Sequence, residues 1–140
     1  MPEVKSPLSQ PSMTAAASAM KAQQARMRII AENIANANST AKVPGGDPYR
    51  RQVPVLESAK IDGVTGVRLA EIKPDEKPFN LVYEPGHPAA DEKGYVKRPN
   101  VNSLIEAMDM REAQRAYEAN LNVIETARAM EQRTLDILKR

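Results

Sequence analysis

Residues 100–140, NVNSLIEAMDMREAQRAYEANLNVIETARAMEQRTLDILKR, contain neither glycine nor proline. Pro99 precedes this stretch, and Ser103 and Glu106 have the spacing of a capping box, so we predict one helix that begins somewhere between Asn100 and Ser103 and runs to about Leu138. About 38 helical residues span roughly 57 Å. A compact chain of this length has a diameter of only about 37 Å. The pattern therefore favours an elongated molecule that packs on neighbours over a bent helical hairpin with its own two-sided core.

Apolar residues of this predicted helix form two stripes roughly 90° or more apart. The first stripe consists of Val101, Ile105, Met108, Ala116, Ala119, Val123, Met130 and Ile137. The second stripe consists of Met110, Ala113, Tyr117, Leu121, Ile124, Leu135 and Leu138. One stripe can be buried by another helix of the same chain, but the other needs a further surface, which favours assembly.

A second stretch without glycine or proline, residues 12–43, predicts an N-terminal helix and the loop that follows it. Its apolar residues recur at spacings of three and four, as an amphipathic helix requires. The helix is expected to fade near Asn36, because asparagine tolerates the left-handed conformation that ends helices. Residues 1–11 carry three prolines and little apolar mass, so we predict a disordered extension.

The middle segment, residues 44–99, contains all six glycines and eight of the eleven prolines. Short strands are predicted at 67–72, 79–83 and 95–97, with turns at 84–88 and 91–94. The predicted fold is therefore mainly α with a small, irregular β-rich middle, in which two long terminal helices pack as a coiled-coil-like pair. Residues 100–140 form the second half of this helical core.

Composition excludes several classes of protein. There is no cysteine and a single histidine, His87, which excludes a disulfide framework, a thiol nucleophile and a cysteine-ligated metal site. The 20 basic and 18 acidic residues give a net charge of +2, which is not the basic footprint of a nucleic-acid-binding protein. No apolar run is long enough to span a membrane. The N-terminus lacks the basic-then-apolar pattern of a cleaved secretory signal.

Few residues suggest a catalytic or ligand-binding role. His87 lies between Gly86 and Pro88, where a lone histidine is typically a solvated turn residue, and the adjacent acids of the middle segment are expected to face water. Tyr49, Arg50 and Arg51 join an aromatic residue to two cations and could contact nucleic acid or an anionic polymer, and the sequence leaves open whether the arginines contact the cell wall or partner subunits. An anchor in which Tyr49 packs against a helix is the favoured interpretation. We therefore predict a protein that is not an enzyme and that uses no cofactor and no metal.

Four segments carry a resemblance to a known family. They are NIANAN at 33–38, GGDPYRRQ at 45–52, LVYEPGHP at 81–88 with GYVKRPNV at 94–101, and the helical residues Ala113, Arg115, Tyr117, Ala119, Asn120, Met130, Thr134 and Leu135. Together they resemble the bacterial flagellar axial proteins, the rod and hook components, and most closely the proximal rod proteins. The similarity covers roughly residues 13–138.

The resemblance implies a structural subunit of the basal-body rod, which polymerises through its terminal helices into a periplasmic drive shaft that transmits torque and continues the export channel. Such proteins leave the cell through the flagellar type III export apparatus without a cleaved signal, and residues 1–11 would serve in that export. The implied partners are copies of the chain, neighbouring proximal rod proteins, the distal rod, the protein joining the rod to the export gate and ring, and the export apparatus. Peptidoglycan is a possible neighbour.

The resemblance and the helical stripes together predict a set of interface residues. They are Met20, Met27, Ile30, Asn33, Ile34, Asn36, Tyr49, Arg50, Met108, Tyr117, Asn120, Leu121, Val123, Ile124 and Met130. Met20, Met27, Ile30 and Ile34 are expected to pair with Val123 and Met130, within a subunit or between subunits. Tyr117, Leu121 and Ile124 are expected to face the next subunit, and the asparagines to fix register by hydrogen bonds.

Two alternatives remain open from the residues. The chain could be another rod subunit of the same family. It could instead be a soluble helical adaptor or export chaperone, which would form a small closed oligomer with ordered termini.

Overall fold

The structure is a computed structural model that describes residues 9–139. Along the chain, two long helices flank two β-hairpins. In chain order the elements are α1 (Ser9–Ala35), β1 (Gln52–Ile61), β2 (Val64–Pro74), β3 (Asn80–Tyr83), β4 (Tyr95–Arg98) and α2 (Ser103–Leu138). The prediction of a mainly α chain with a small β-rich middle is confirmed, and both hairpins of that middle are antiparallel. At 36 residues, α2 spans about 54 Å.

Helix α1 begins earlier than predicted. Its first residue is Ser9, so the prediction of disorder is wrong for residues 9–11, and residues 1–8 lie outside the described part of the chain. Pro11 is tolerated because it lies in the first turn, where backbone N–H groups have no acceptor within the helix. The helix ends at Ala35, close to the predicted position, and the Asn36 side chain donates to the Glu32 carbonyl at 2.8 Å.

Strands β1 and β2 form a long antiparallel hairpin of which the sequence predicted only the second strand. Ile61 pairs with Val64 across the turn, and Asp62 and Gly63 both have positive φ, 50° and 79°, as a type I′ turn requires. Pro54 interrupts the pattern of β1 and led us to miss that strand, because proline within a run argues against a central strand. The Asp62-Gly63 pair was the signal that could have revealed the hairpin.

This hairpin packs against α1 at Gly66. The Ser18 hydroxyl donates to the Ala15 carbonyl at 2.7 Å and accepts from the Val67 N–H at 3.1 Å. A Cβ on Gly66 would lie 2.4 Å from Ser18 Oγ and 2.9 Å from Ile61 Cδ1. Glycine is therefore required there for the close approach of strand and helix.

We expect Gly66→Ala to lower the free energy of unfolding by about 1–3 kcal/mol, because the added methyl group displaces Ser18 and weakens its hydrogen bonds. Urea unfolding of the purified chain measures this. Gly86→Ala is the matched control: nothing lies within 4 Å of its Cβ position, so its effect should be within about 0.5 kcal/mol. Equal stability of the two variants would contradict the packing role of Gly66.

The second hairpin, β3–β4, confirms the other two predicted strands and both predicted turns. Tyr83 pairs with Tyr95, and the Glu84 N–H donates to the Gly94 carbonyl at 2.9 Å. Val96 on its inner face is fully buried. From the end of β4 at Arg98, the chain continues through residues 99–102 to the start of α2 at Ser103.

Helix α2 is capped by Asn102, whose side chain accepts from the N–H groups of Leu104 and Ile105. The predicted capping box of Ser103 and Glu106 is therefore wrong, and the Glu106 side chain is occupied elsewhere. The helix runs antiparallel to α1. Arg26 pairs with Glu112 at 3.6 Å, whereas Glu32 near the end of α1 and Glu106 near the start of α2 both lie close enough to Tyr49 to raise its pKa.

A single line of residues on α2 packs against α1, which is the only described helix or strand in contact with it. Apart from Asp109 and Ala116, all buried or half-buried residues of α2 lie on this α1-facing line. They are Glu106, Met110, Ala113, Tyr117, Asn120, Ile124, Ala127 and Glu131. The spacing alternates between four and three residues, so most of the second predicted stripe is the one that the chain itself buries.

Candidate assembly surface and the polar junction beside it

Most of the first predicted stripe remains exposed, whereas Val101 is buried and Ala116 is half-buried. We define the α2 stripe as Ile105, Met108, Val123, Met130 and Ile137, whose side chains are 43% to 72% exposed. Pairing of Val123 and Met130 with α1 inside the chain, one of the two arrangements predicted, is therefore wrong. Their pairing with another subunit stays a prediction.

The predicted interface residues on α1 differ in how deeply they are buried. Ile30 is buried and Met20 and Met27 are half-buried, whereas Ile34 is exposed. Ile30 belongs to the interior of the chain and is closed to a second subunit, because Ile29 and Ile30 are both almost completely covered.

On α2, Tyr117 and Ile124 are half-buried on the α1-facing line. Their contact with the next subunit stays a prediction, because the chain itself covers each of these side chains only in part. Leu121 is exposed and stays available. The Asn120 side chain donates to the Ala116 carbonyl at 2.7 Å, so its hydrogen bond is local to α2, as that of Asn36 is local to α1.

Asn33 is the one predicted asparagine that links distant parts of the chain. It is buried, and its side chain donates to the Gln52 carbonyl at 2.8 Å. Its Oδ1 accepts from the Tyr49 hydroxyl at 2.6 Å and from the Gln52 N–H at 3.0 Å. The expected anchoring of Tyr49 on a helix is confirmed. Burial, with the charges of Glu32 and Glu106, raises the pKa of Tyr49 and keeps its hydroxyl protonated as the donor.

Arg51 is the centre of a polar junction that sequence reasoning missed. Its Nε donates to Glu106 Oε1, and its terminal nitrogens lie 3.2 Å from Asp75 Oδ2 and 3.6 Å from Asp109 Oδ2. Its backbone N–H donates to Asn100 Oδ1 at 2.8 Å. The junction thus ties the start of β1 to the end of β2 and to the first turns of α2.

The surroundings of Arg51 favour its charged form. Burial opposes the charged guanidinium, but the hydrogen bonds and charges of Glu106 and Asp75 outweigh it and raise the pKa of Arg51. The Arg51 side chain is only 20% exposed and is held by three carboxylates.

Arg50 also has an internal role. Its guanidinium donates to the carbonyls of Asp75 at 2.7 Å and Lys77 at 3.1 Å, and it lies 4.2 Å from the centroid of the Phe79 ring. This cation–π contact holds the loop between β2 and β3 against the start of β1. No sequence spacing pointed to it, since the partners are more than 20 residues away.

Asp75 makes the stability of the junction depend on pH. The Lys77 N–H donates to Asp75 Oδ1 at 3.0 Å, and together with the hydrogen bond and charge of Arg51 it lowers the pKa of Asp75 below the ordinary 3.8, against the effect of burial. Because the folded chain has the lower pKa, the charged carboxylate stabilises the fold above pH 3.8. That contribution is lost as the pH falls through the folded pKa.

We expect Asp75→Asn to cost about 1 kcal/mol at pH 7. The difference from the parent chain should shrink as the pH falls below 3.8, because the parent then loses the same charge. Urea unfolding from pH 7 to pH 2.5 measures it, with Glu76→Gln at the exposed neighbouring position as the control. A difference that persists unchanged at low pH would contradict the ionic role of Asp75.

The outer face of the β3–β4 hairpin is a second exposed surface, which the sequence did not single out. Leu81, Tyr83 and Tyr95 are exposed there, and the two tyrosine rings meet edge to face with centroids 5.3 Å apart. Outer strand faces of a monomer are ordinarily polar, so this face has the composition of a contact surface.

Two features are absent from residues 9–139. These residues contain no group of three or more histidine, cysteine, aspartate or glutamate side chains arranged to hold a metal ion. They contain no helix that is both long and apolar enough to cross a membrane.

Comparison with known proteins assigns the family. The family described as "Flagella basal body rod protein" matches residues 13–41, and "Flagellar basal body rod FlgEFG protein C-terminal" matches residues 92–137. The FlgC basal-body rod protein of Agrobacterium fabrum is 50% identical over 127 residues, which cover 89% of this chain and 91% of that protein. FlgC of Escherichia coli is 41% identical over 87% of this chain and 92% of its own length. FlgC of Borreliella burgdorferi is 40% identical over 91% and 96%.

Proposed function

This chain belongs to the FlgC family of flagellar basal-body rod proteins and is a structural rod subunit, and from that premise we propose that it polymerises through its terminal helices in the proximal rod. The observation that carries the proposal is the α2 stripe. It extends over 33 residues from Ile105 to Ile137, about 50 Å along the helix, and α1 packs on the other side. Exposed apolar surface of this extent marks a site of association.

The geometry of the helix pair suits a helical polymer. The α1-facing line has the alternating four-three spacing of coiled coils, which supports a coiled-coil-like pairing of α1 and α2. The α2 stripe lies on a different side of α2, so a second subunit can pack there without displacing α1. A contact between two different surfaces that does not close into a ring builds a filament, as a rod requires.

Several further features of the proposal follow from family membership. The subunit reaches the periplasm through the flagellar type III export apparatus without a cleaved signal. There it joins copies of itself, other proximal rod proteins, the distal rod and the protein at the junction with the export gate. Many apolar helix–helix contacts, formed at the same time between neighbouring subunits, would make the shaft around the export channel stiff enough to transmit torque. The role is mechanical, without catalysis.

Electron microscopy tests this proposal directly. Basal bodies are purified from a strain that lacks only this gene and from the same strain complemented with the intact gene. We expect rings without a rod in the first and complete rods in the second. Complete rods in the deletion strain would contradict the proposal. If the deletion strain builds complete rods and the purified chain forms only small closed oligomers, the adaptor alternative is favoured.

A further inference from the structure

A groove of about 1050 Å³ runs along α1, between this helix and the β1–β2 hairpin. It follows α1 from Thr14 to Arg28, which is about 21 Å of helix. The hairpin forms the other wall through residues 61–62 and 67–69. No described residue of α2 lines the groove, so the pairing of the two helices within the subunit leaves it uncovered.

The groove combines apolar walls with two free cations. Small or apolar side chains line both walls, namely Ala17, Ala22, Ala25, Ile61, Val67 and Leu69. Lys21 and Arg28 line it as well, are exposed, and take part in none of the ion pairs found within residues 9–139. Arg68 is already paired with Glu57, and Asp62 is the one acid among the described lining residues. The groove therefore favours a partner that carries both acidic and apolar side chains.

Helix α2 carries a surface of the matching kind. We define the acidic ridge as Glu118, Leu121 and Glu125, which are all exposed and lie within about 60° of one another around the helix. The ridge lies roughly 140–160° from Val123, so the ridge and the α2 stripe occupy nearly opposite sides of α2. Within the described part of the chain, neither glutamate takes part in an ion pair.

The charges of the groove and of the ridge have the same spacing. Lys21 and Arg28 are seven positions apart on α1. Glu118 and Glu125 are seven positions apart on α2. Each pair therefore spans about 10 Å along its helix. Two helices that pack side by side can form both ion pairs at once, with Leu121 between them against the apolar walls.

We propose that this groove binds the acidic ridge of a second copy of the chain, an inference that rests on the proposed assembly into a rod. The ridge of the same subunit does not fill the groove, because its α2 lines no described part of it. Subunits of a helical polymer point in one direction, and α1 and α2 are antiparallel, so the neighbour's α2 is antiparallel to this α1. That direction brings Glu125 to Lys21. It brings Glu118 to Arg28.

The contact joins two different surfaces of the chain, so it does not have to close on itself and can repeat from subunit to subunit. Because both surfaces are exposed before assembly, the ion pairs add little affinity. Charge complementarity instead selects the partner and fixes its register. The α2 stripe, on nearly the opposite side of α2, remains free for a different neighbour.

Charge reversal in the complemented deletion strain tests the pairing. The groove variant is Lys21→Glu/Arg28→Glu, and the ridge variant is Glu118→Lys/Glu125→Lys. Each places like charges against one another, so we expect each to lower the number of complete basal bodies per cell about tenfold or more. The purified variants should keep the parent's circular dichroism spectrum and urea midpoint, because all four side chains are exposed. The chain that carries both sets of changes should recover about half of the parent's number or more, since every pair is again of opposite charge.

Every other outcome overturns this contact. Normal assembly of both the groove variant and the ridge variant shows that neither surface is an interface. Loss of assembly in only one of them shows that the groove and the ridge have different partners, such as another rod protein. Failure of the combined variant to recover shows that the two surfaces do not meet. All three results leave assembly through the α2 stripe intact, whereas failure of the intact gene to restore rods contradicts the proposed function itself.

Because the chain has no cysteine, proximity can be tested directly in assembled rods. A Gln24→Cys chain, altered in the groove, is produced together with a tagged Leu121→Cys chain, and purified basal bodies are treated with a short bis-maleimide cross-linker. We expect a covalent dimer that contains both chains. A tagged Val123→Cys chain in place of Leu121→Cys is the control, and we expect about tenfold less product because Val123 lies on nearly the opposite side of α2. No dimer in assembled rods, or equal yields from the two combinations, overturns the inference.

Discussion

Replacing Arg51 with methionine will lower the free energy of unfolding by about 3–5 kcal/mol. The guanidinium is the donor to Glu106, which is fully buried, and it also pairs with Asp75 and Asp109. Without it, the Glu106 carboxylate remains buried with no partner for either oxygen. The chain must then keep an unpaired carboxylate buried or open the start of α2 to admit water, and both responses cost free energy. Urea unfolding at pH 7, followed by circular dichroism at 222 nm (a helix signal), measures the loss.

Two further variants show whether the loss comes from the orphaned charge. Arg68→Met removes a guanidinium of the same size that pairs with Glu57 on the surface and is 65% exposed, so it should cost less than about 1 kcal/mol. The double variant Arg51→Met/Glu106→Met replaces the buried pair with apolar groups of similar volume and should recover much of the stability. If the double variant is no more stable than Arg51→Met alone, the cost does not arise from Glu106.

Replacing Val123 with aspartate will abolish rod assembly and swimming while leaving the isolated subunit folded. Val123 is exposed in the middle of the α2 stripe, so in the monomer the new carboxylate stays in water and stability changes by about 0.5 kcal/mol or less. In the assembled rod the same carboxylate would be buried without a partner, which costs several kcal/mol at every repeated contact. Motility in soft agar and electron microscopy of purified basal bodies give the two readouts.

Neighbouring positions supply the controls. Ile124→Asp, one residue along, places the charge on the α1-facing line and should unfold or strongly destabilise the subunit itself. Gln114→Asp adds the same charge to an exposed position half a turn of the helix wheel away from Val123, and should permit assembly. Normal swimming of the Val123→Asp strain would remove the α2 stripe from the interface.

Much of the architecture could be predicted from local pattern alone. The two stretches without glycine or proline predicted both helices, and strand alternation with turn residues predicted β2, β3 and β4. The first strand was missed because Pro54 masks its pattern, and residues 9–11 were misjudged because proline is tolerated in a first helical turn. Each error concerns the effect of a single proline, Pro54 in the first case and Pro11 in the second. That effect depends on whether the N–H group that proline lacks would have had a hydrogen-bond acceptor at that position.

Local sequence pattern was enough to predict both helices, three of the four strands, the family and the presence of two apolar stripes on α2. It could not determine which stripe the chain buries, because a helix wheel gives angles between residues but not the direction from which the partner helix approaches. Nor could it place Arg51, since its carboxylate partners lie 24 to 58 positions further along the chain and come together only when β1, the β2–β3 loop and α2 meet. Burial and charge pairing between distant segments are properties of the packed chain, and the tertiary structure alone decided them.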